Sequence, residues 1–226
     1  MVVKDRPLVR HELKAVINEG QYVVLKSMIR ALMIPDTHMK EKGYFIRSLY
    51  FDDPKNSGYL DKVDGLYDRH KVRLRLYDVS SPTVKLEIKG KRGDRVYKQT
   101  TVLNRMEAKD IIQGNWSEAI RQAFLEEGLI CDQYQPKVMI DYWREAYTYP
   151  YEKIRLTFDK EVRSSQSHGL FEETLISAPV LEQNQCILEI KYEDMLPDYL
   201  ITLLGSVGIH LSGYSKYVQG RHALLH

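Results

Sequence analysis

Several segments of the chain alternate apolar and charged side chains with a period of two residues. In residues 71–78, KVRLRLYD, apolar residues alternate with Lys71, Arg73 and Arg75. This period is typical of a β-strand with one apolar and one polar face. Residues 84–89, 153–159 and 187–191 repeat the pattern, with charges at Lys85, Glu87, Lys89, Lys153, Arg155, Asp159, Glu189 and Lys191. A fold built from such strands must bury the apolar face of each strand and place the charged face against solvent or against a charged ligand.

The order of these segments predicts how the strands pair. Residues 69–78 and 83–90 flank a short turn containing SSP, which is typical of an antiparallel hairpin. Asn18, with Gln21 three residues later, opens an amphipathic helix in a capping-box pattern. Strands outnumber helices and mostly follow one another. We therefore predict an α+β fold, an antiparallel β-barrel with a charged interior and surrounding helices.

Composition limits the organisation and the cellular setting. The chain has no internal repeat, low-complexity tract or Pro/Gly/Ser-rich linker, which predicts a single domain over residues 1–226. Cys131 and Cys186 lie far apart, which argues against a disulfide scaffold or a zinc–thiolate site. The charged N-terminal sequence lacks the apolar run of a signal peptide, and no run approaches the ~18 residues that span a membrane. These features predict a soluble, cytoplasmic protein.

Basic residues are concentrated in one part of the chain. Between Arg69 and Lys98 there are ten Lys or Arg and three acidic residues, a net charge of +7. The whole chain carries +2, so the remainder carries −5. The charged strand faces are either solvated and ion-paired, or they line a barrel that binds an anion. A basic patch on an acidic body favours the anion, and Arg and Lys are suited to phosphate.

Six blocks of sequence carry a family resemblance. They are RHELK (10–14), IRSLYFDD (46–53), DRHKVRLRLYD (68–78), VKLEIKGKRGDRVYK (84–98), ILEIKY (187–192) and GYSKY (213–217). Together, and in this order, they resemble the VTC domain, the polyphosphate polymerase branch of the triphosphate tunnel, or CYTH-like, superfamily. The resemblance extends over about residues 9–222.

The resemblance implies both a fold and a reaction. The fold is an antiparallel barrel that encloses a basic tunnel, which binds ATP and polyphosphate or triphosphate together with Mn²⁺ or Mg²⁺. The reaction moves the terminal phosphoryl group of ATP onto a growing polyphosphate chain. In larger proteins the VTC domain works beside transmembrane segments that this chain lacks, so coupling to a membrane would need a separate partner.

The resemblance and the strand phase together assign candidate roles. Lys14, Arg73, Arg75 and Lys89 are the candidate catalytic residues, and Glu189 matches the metal-binding carboxylate of the family. Arg144 and Arg155 are alternatives for one further tunnel arginine, whereas Arg47 and Lys85 follow from strand phase. Glu12 and Glu87 are further candidate metal ligands, because a divalent metal suits carboxylates beside phosphate oxygens. The candidate substrate-binding residues are Arg47, Lys85, Lys98, Arg144, Arg155, Lys191, Ser215 and Lys216.

One position departs from the wider superfamily. Its hydrolases and cyclases open with an E-x-E-x-K signature, whereas here Arg10 stands at the first glutamate position. This favours the polymerase branch over a hydrolase. A triphosphate or polyphosphate hydrolase and a non-catalytic polyphosphate- or nucleotide-binding domain remain alternatives. Nucleic acid is not an expected partner, because the basic hairpin lacks interleaved aromatic residues.

Other polar residues have simpler interpretations. Asp52 and Asp53 follow a predicted strand, so a turn is favoured over a metal site. The segment 90–94, GKRGD, lacks Walker spacing and is interpreted as an exposed hairpin tip. The seven histidines show no metal-binding spacing.

Overall fold

The computed structural model describes residues 2–4, 11–92, 95–151 and 153–225. Arg10 and the centre of the predicted hairpin tip, residues 93–94, lie outside the described residues. The strands are β1 (Val2–Lys4), β2 (His11–Asn18), β3 (Ile34–Pro35), β4 (Tyr44–Asp52), β5 (Arg69–Leu76), β6 (Thr83–Arg92), β7 (Arg95–Asn104), β8 (Gln135–Thr148), β9 (Arg155–Ser165), β10 (Ala178–Pro179) and β11 (Gln185–Tyr192). The helices are α1 (Glu19–Leu32), α2 (Ser57–Val63), α3 (Arg105–Ile112), α4 (Glu118–Glu126), α5 (Asp198–Ser206) and α6 (Lys216–His222), with a 3₁₀ turn at Cys131–Gln133.

The strands form one antiparallel sheet, which confirms the predicted α+β class. Its order is β1-β7-β6-β5-β4-β8-β9-β11-β2, with β3 paired to β8 and β10 paired to β9. Among the described residues, no backbone pairing joins the two ends of this path. The sheet is therefore not a closed ring, which is a small difference from the predicted barrel.

The sheet nevertheless curves strongly around one face. Glu12 lies on β2, the last strand of the path, and its Oε2 is 3.8 Å from Nζ of Lys89 on β6. Six strand spacings of about 4.8 Å would separate these strands by ~29 Å in a flat sheet. Only a rolled sheet brings the two side chains together. We call the enclosed face the inner face and the opposite one the outer face.

The two-residue alternation decides which side chains face inward. On β5, Val72, Leu74 and Leu76 are buried in an apolar cluster on the outer face, whereas Arg73 and Arg75 contact inner-face residues. The predicted hairpin is confirmed, since β5 pairs with β6 in antiparallel register. The charged strand faces thus line the inside of the sheet.

Helices cover the apolar outer face in two places. One cluster joins β4, β5 and β6 to α3 and α4 through Ile111, Ile120 and Phe124. The other joins β2, β9 and β11 to α1 and α5 through Leu25 and Leu203. Burial of these side chains stabilises the sheet at roughly 1.5–3 kcal/mol for each large apolar residue.

Helix caps fix where α1 and α3 begin. The Asn18 side chain accepts a hydrogen bond from Gln21 N at 2.9 Å, and the Gln21 side chain accepts one from Asn18 N at 3.0 Å. Asn104 and Glu107 form the same reciprocal pair at the start of α3. Both capping boxes satisfy backbone N–H groups that have no partner within the helix.

Helix α6 packs against the inner side of β8 and β9. Tyr217 of α6 joins an apolar cluster with Ile140 and Tyr142 of β8. A Cβ atom at Gly220 would lie 2.1 Å from Ile140 Cδ1, so a larger residue there would force the Ile140 side chain to move. Apolar side chains and α6 therefore fill part of the interior, and the charged side chains occupy the rest.

The end of β4 and the turn after it are held by two carboxylates, one of which also contacts α6. Asp52 accepts hydrogen bonds from the backbone N–H of Gly58 at 2.9 Å and from the Tyr217 hydroxyl at 2.6 Å. Asp53 accepts one from Ser57 N at 2.9 Å. These contacts confirm the interpretation of both carboxylates as turn residues.

Candidate active site

One wall of the interior is an ion cluster on β5, β6 and β7. Glu87 Oε2 lies 2.6 Å from Arg73 Nη2 and 3.7 Å from Arg75 Nη1. Its Oε1 lies 2.9 Å from Lys98 Nζ. Burial raises the pKa of Glu87, but the three cations outweigh burial and hold it well below its usual range. Glu87 is therefore ionised and balances part of the positive charge of this wall.

Hydroxyl groups of β4 and β8 orient the two arginines of this wall. Arg73 donates to the Tyr50 hydroxyl at 3.0 Å. Arg75 donates to Ser48 Oγ at 3.1 Å and to the Tyr142 hydroxyl at 3.2 Å. Neutral partners fix the guanidinium groups without cancelling their charge, so both remain suited to binding an anion.

On the facing wall, formed by β2 and β11, carboxylates alternate with lysine side chains. Lys14 Nζ lies 2.6 Å from Glu12 Oε1 and 3.7 Å from Glu189 Oε2. Lys191 Nζ lies 2.6 Å from Glu189 Oε1 and 3.8 Å from Glu12 Oε2. Lys89 reaches this wall from β6 through Glu12. Burial opposes ionisation of Glu189, yet nearby cations, Lys191 first, hold its pKa well below the usual value.

A buried cluster on β8, β9 and α6 completes the interior. Asp159 is fully buried and accepts two hydrogen bonds from Arg144, at 2.6 and 2.7 Å. Lys216, the first residue of α6, forms an ion pair with the same carboxylate. Arg144 and Lys216 are thus held in place by one shared anion.

Two predicted residues lie nearer solvent on the inner side. Arg155 donates to Asp36 Oδ2 and to the Tyr44 hydroxyl, both at 2.9 Å, and its side chain is 40% exposed. Lys85 Nζ lies 5.1 Å from the ring centre of Tyr77. Arg144 and Arg155, treated as alternatives from sequence, both belong to the inner face, where Arg144 is buried and Arg155 is partly exposed.

The segment just before α6 runs along the inner cations. Ser212 N donates to the Lys14 backbone oxygen at 2.7 Å. Lys14 Nζ lies 3.4 Å from the Tyr214 backbone oxygen. Lys71 donates to Ser215 Oγ at 3.1 Å. This segment therefore brings Ser215 and Lys216 next to residues of β2 and β5 that are far away in sequence.

Arg47 does not lie on the inner face, where the sequence predicted it. Its guanidinium bonds to Asp141, with Nη2 2.7 Å from Oδ2, and donates to the backbone oxygen of Leu170. Leu170 belongs to the apolar cluster of the outer face. On β4, Leu49 and Phe51 face that cluster, and Arg47 shares their phase. Contrary to the sequence prediction, Arg47 therefore lies outside the tunnel.

The carboxylates differ in how well they fit a divalent metal. Burial and the nearby charge of Glu189 both oppose ionisation of Glu12, yet Lys14, Lys191 and Lys89 hold its pKa below the usual value. Next to Glu189, on β9, the buried Thr157 Oγ1 has no hydrogen-bond partner among the described residues. Oxygen donors of this kind suit Mg²⁺ or Mn²⁺ when phosphate oxygens and water complete the coordination.

Glu87 fits less well, because close cations already hold both of its oxygens, Arg73 at Oε2 and Lys98 at Oε1. In the described part of the chain, the close ion pairs of Glu12 and Glu189 both use Oε1, and those that reach Oε2 are longer, at 3.8 and 3.7 Å. No group of three or more His, Cys, Asp or Glu residues suited to a metal occurs in the described part of the chain.

Sequence reasoning missed some inner-face residues. Asp159 was visible in the alternation of its strand, but its pairing with Arg144 and Lys216 depends on the fold. Tyr50 and Tyr142 carry no pattern that separates them from core residues. Lys71 shares the phase of Arg73, so the alternation alone could have identified it.

Comparison with known families identifies this arrangement. A family model of the VTC domain matches residues 9–225. The chain therefore belongs to the VTC domain family, which confirms the resemblance in its sequence blocks. A search of curated proteins gave no match. In the described part of the chain, no helix is both long and apolar enough to cross a bilayer.

Solved structures share the fold at low sequence identity. A candidate adenylate cyclase from Bacillus halodurans has a TM-score of 0.60 and 14% identity, with 96% of this chain and 97% of that chain covered. A candidate adenylyl cyclase from Hippeastrum, with a dominant triphosphatase activity, has a TM-score of 0.52 and 16% identity, with coverages of 94% and 96%. At these identities the likeness shows the fold alone.

Proposed function

We propose that this protein is a polyphosphate polymerase that transfers the terminal phosphoryl group of ATP onto a polyphosphate chain. The observation that carries the proposal is the inner face, where cations from strands far apart in the sheet surround one space. They are Lys14, Arg73, Arg75, Lys89, Lys98, Arg144, Lys191 and Lys216, and they outnumber the carboxylates among them. Membership of the VTC domain family supports the same reaction.

The inner-face cations solve the main difficulty of this reaction. Donor and acceptor are both polyanions and repel each other, so they must be neutralised and aligned before transfer. We assign this role to Arg73 and Arg75 on one wall and to Lys14 and Lys89 facing them. A donor placed at the developing charge contributes on the order of 3 kcal/mol to such a step. The acceptor is an ionised phosphate, so no general base is required.

Mn²⁺ or Mg²⁺ belongs to the same proposal. Glu12 and Glu189 would hold the ion, and the ion would supply charge neutralisation at the phosphate oxygens. Glu87 instead balances Arg73, Arg75 and Lys98. The remaining substrate-binding assignments are the partly exposed Lys85 and Arg155, together with Lys98, Arg144, Lys191, Ser215 and Lys216.

We further propose that residues 1–226 act as one domain in the cytoplasm. The sheet supports a single domain, because β2 near the N-terminus pairs with β11 near the C-terminus.

A triphosphate or polyphosphate hydrolase on the same scaffold is the second candidate. The structural relative from Hippeastrum, with its triphosphatase activity, favours it. Incubation with ATP and Mn²⁺, followed by electrophoresis for polyphosphate and a colorimetric phosphate assay, separates the two. Growth of long chains supports the polymerase, whereas release of phosphate without chains supports the hydrolase. If the protein binds nucleotide or polyphosphate but yields neither product, both catalytic candidates fail.

A further inference from the structure

Strand β5 carries a row of basic residues that is longer than the ion cluster on Glu87. Arg69, Lys71, Arg73 and Arg75 share one phase of the strand. The first and the last are six residue steps apart, which corresponds to about 20 Å along an extended strand. Three linked phosphate groups are much shorter than this row. A triphosphate seated at Arg73 and Arg75 therefore leaves the other end of the row without an anion.

The end of the row at Arg69 and Lys71 differs from the end at Arg73 and Arg75 in its ion pairs. We call Lys62 of α2, with Arg69 and Lys71 of β5, the Lys71 cluster. Lys71 donates to Ser215 Oγ, and Arg69 donates to the Leu66 backbone oxygen at 3.1 Å. Among the described residues, no carboxylate forms an ion pair with any member of the cluster. Neighbouring Arg73 and Arg75, in contrast, share Glu87.

The cluster is also partly buried, and its charges repel one another. Burial lowers the pKa of Lys71 well below its usual range, and the cations Lys14, Lys89, Lys62 and Arg73 lower it further. Burial also lowers the pKa of Lys62, and Arg69 and Lys14 add to the effect, whereas the charge of Glu12 opposes it. Part-buried cations without a close ion pair are costly in the empty protein, and a bound polyanion would relieve that cost.

We propose that the Lys71 cluster is a further phosphate subsite adjoining Lys14 and Lys89, which binds the part of a polyphosphate chain that extends beyond three phosphate units. This proposal rests on the proposed function and adds a determinant of ligand length. Ser215 positions Lys71 from the start of α6. Lys62 lies beside the same segment, since a Cβ atom at Gly213 would lie 3.9 Å from its Nζ.

The test compares two ligands in isothermal titration calorimetry, tripolyphosphate and a long polyphosphate, without nucleotide or metal. In Lys71→Met and in Lys62→Met, we expect the affinity for long polyphosphate to fall about tenfold, because each variant removes a charge-assisted contact. The affinity for tripolyphosphate should fall by clearly less. Lys71→Arg keeps the charge and should retain most of the affinity for the long chain. Lys42→Met removes an exposed lysine outside the cluster and is the matched control.

The outcomes separate this proposal from the one it rests on. Equal losses for both ligands, or no loss for the long chain, overturn the length subsite while the tunnel proposal stands. Failure of the wild-type protein to bind either ligand overturns both. Lys62 lies on α2, which has no buried residue, so Lys62→Met decides the question if Lys71→Met does not fold.

Discussion

Two buried carboxylates of this molecule, Glu87 on the inner face and Glu145 on the outer face, each lie between cations. Glu87 is 3% exposed and Glu145 is 2% exposed. Glu145 Oε1 lies 2.6 Å from Lys160 Nζ and accepts a hydrogen bond from the Tyr22 hydroxyl at 2.8 Å. Lys26 of α1 completes the group, with its Nζ 2.9 Å from Oε2. By composition alone the two sites look alike.

The surroundings of the two carboxylates separate their roles. Around Glu145, helix α1 and two tyrosine hydroxyl groups satisfy the carboxylate and seal it beneath the helix. Around Glu87, the arginines also contact neutral hydroxyl groups and face further cations across the interior. The Glu145 cluster has two cations for one carboxylate and is covered by α1, whereas the Glu87 cluster has three cations for one carboxylate. We therefore assign a structural role to the outer cluster and, as part of the proposed function, a binding role to the inner one.

The largest expected effect is on turnover at the inner face. Arg75→Ala or Glu189→Ala should lower turnover of ATP at least ~100-fold, because each removes a group placed at the phosphates or at the metal. Circular dichroism and thermal unfolding should show the fold retained. Arg163→Ala, which removes an exposed arginine of β9, is the control and should keep its activity. Wild-type rates in Arg75→Ala or Glu189→Ala would contradict the assigned roles.

The opposite result is expected at the outer cluster. Glu145→Ala leaves Lys26 and Lys160 together without their carboxylate and should lower the free energy of unfolding by about 2–3 kcal/mol, less than for a fully buried pair. Burial raises the pKa of Glu145, but hydrogen bonds from Lys160, Lys26 and Tyr22 hold it below its usual value.

The lowered pKa fixes the pH dependence of this loss. The stabilisation by Glu145 is present above the unfolded pKa of about 4.3 and is lost as the pH falls through the folded pKa. Urea unfolding should therefore show the full difference from wild type at pH 7 and a smaller one below pH ~4. Polyphosphate affinity should stay within about twofold of wild type, and a larger change would remove the distinction between the clusters.

The fold was more predictable from sequence than the assignment of charges to sites. The alternation in β5, β6, β9 and β11 sets both strand type and face, because an apolar side chain on the wrong face would lose its burial. Helix α2 carried no such signal, since none of its residues is buried. Strand β2 also went unpredicted, although its motif RHELK was recognised as part of the family resemblance.

Assignment of charged residues to the site failed where strand phase was read from charge alone. Arg47 is charged like its tunnel counterparts, yet Leu49 and Phe51 set the phase of β4 toward the outer face. Asp159 followed the alternation correctly, but its role depends on Arg144 and Lys216, which are distant in sequence. Phase is local, whereas the choice of ion-pair partner is a property of the folded sheet.

The smallest expected effect is that of Lys71→Met on the pH dependence of the free energy of unfolding. Because burial and neighbouring cations lower the pKa of Lys71, the unfolded chain binds more protons at this position than the folded chain does. Stability should therefore rise with pH up to the unfolded pKa of about 10.4. At Glu145 the folded state favours the charged form, whereas at Lys71 it disfavours the charged form. Lys71→Met removes this contribution, so its free energy of unfolding should equal or exceed that of wild type at pH 7, by no more than about 1 kcal/mol. Urea unfolding from pH 7 to 10 should show a shallower rise in the variant than in wild type. A steeper rise, or a large loss of stability at pH 7, would mean that Lys71 is a structural residue like those around Glu145.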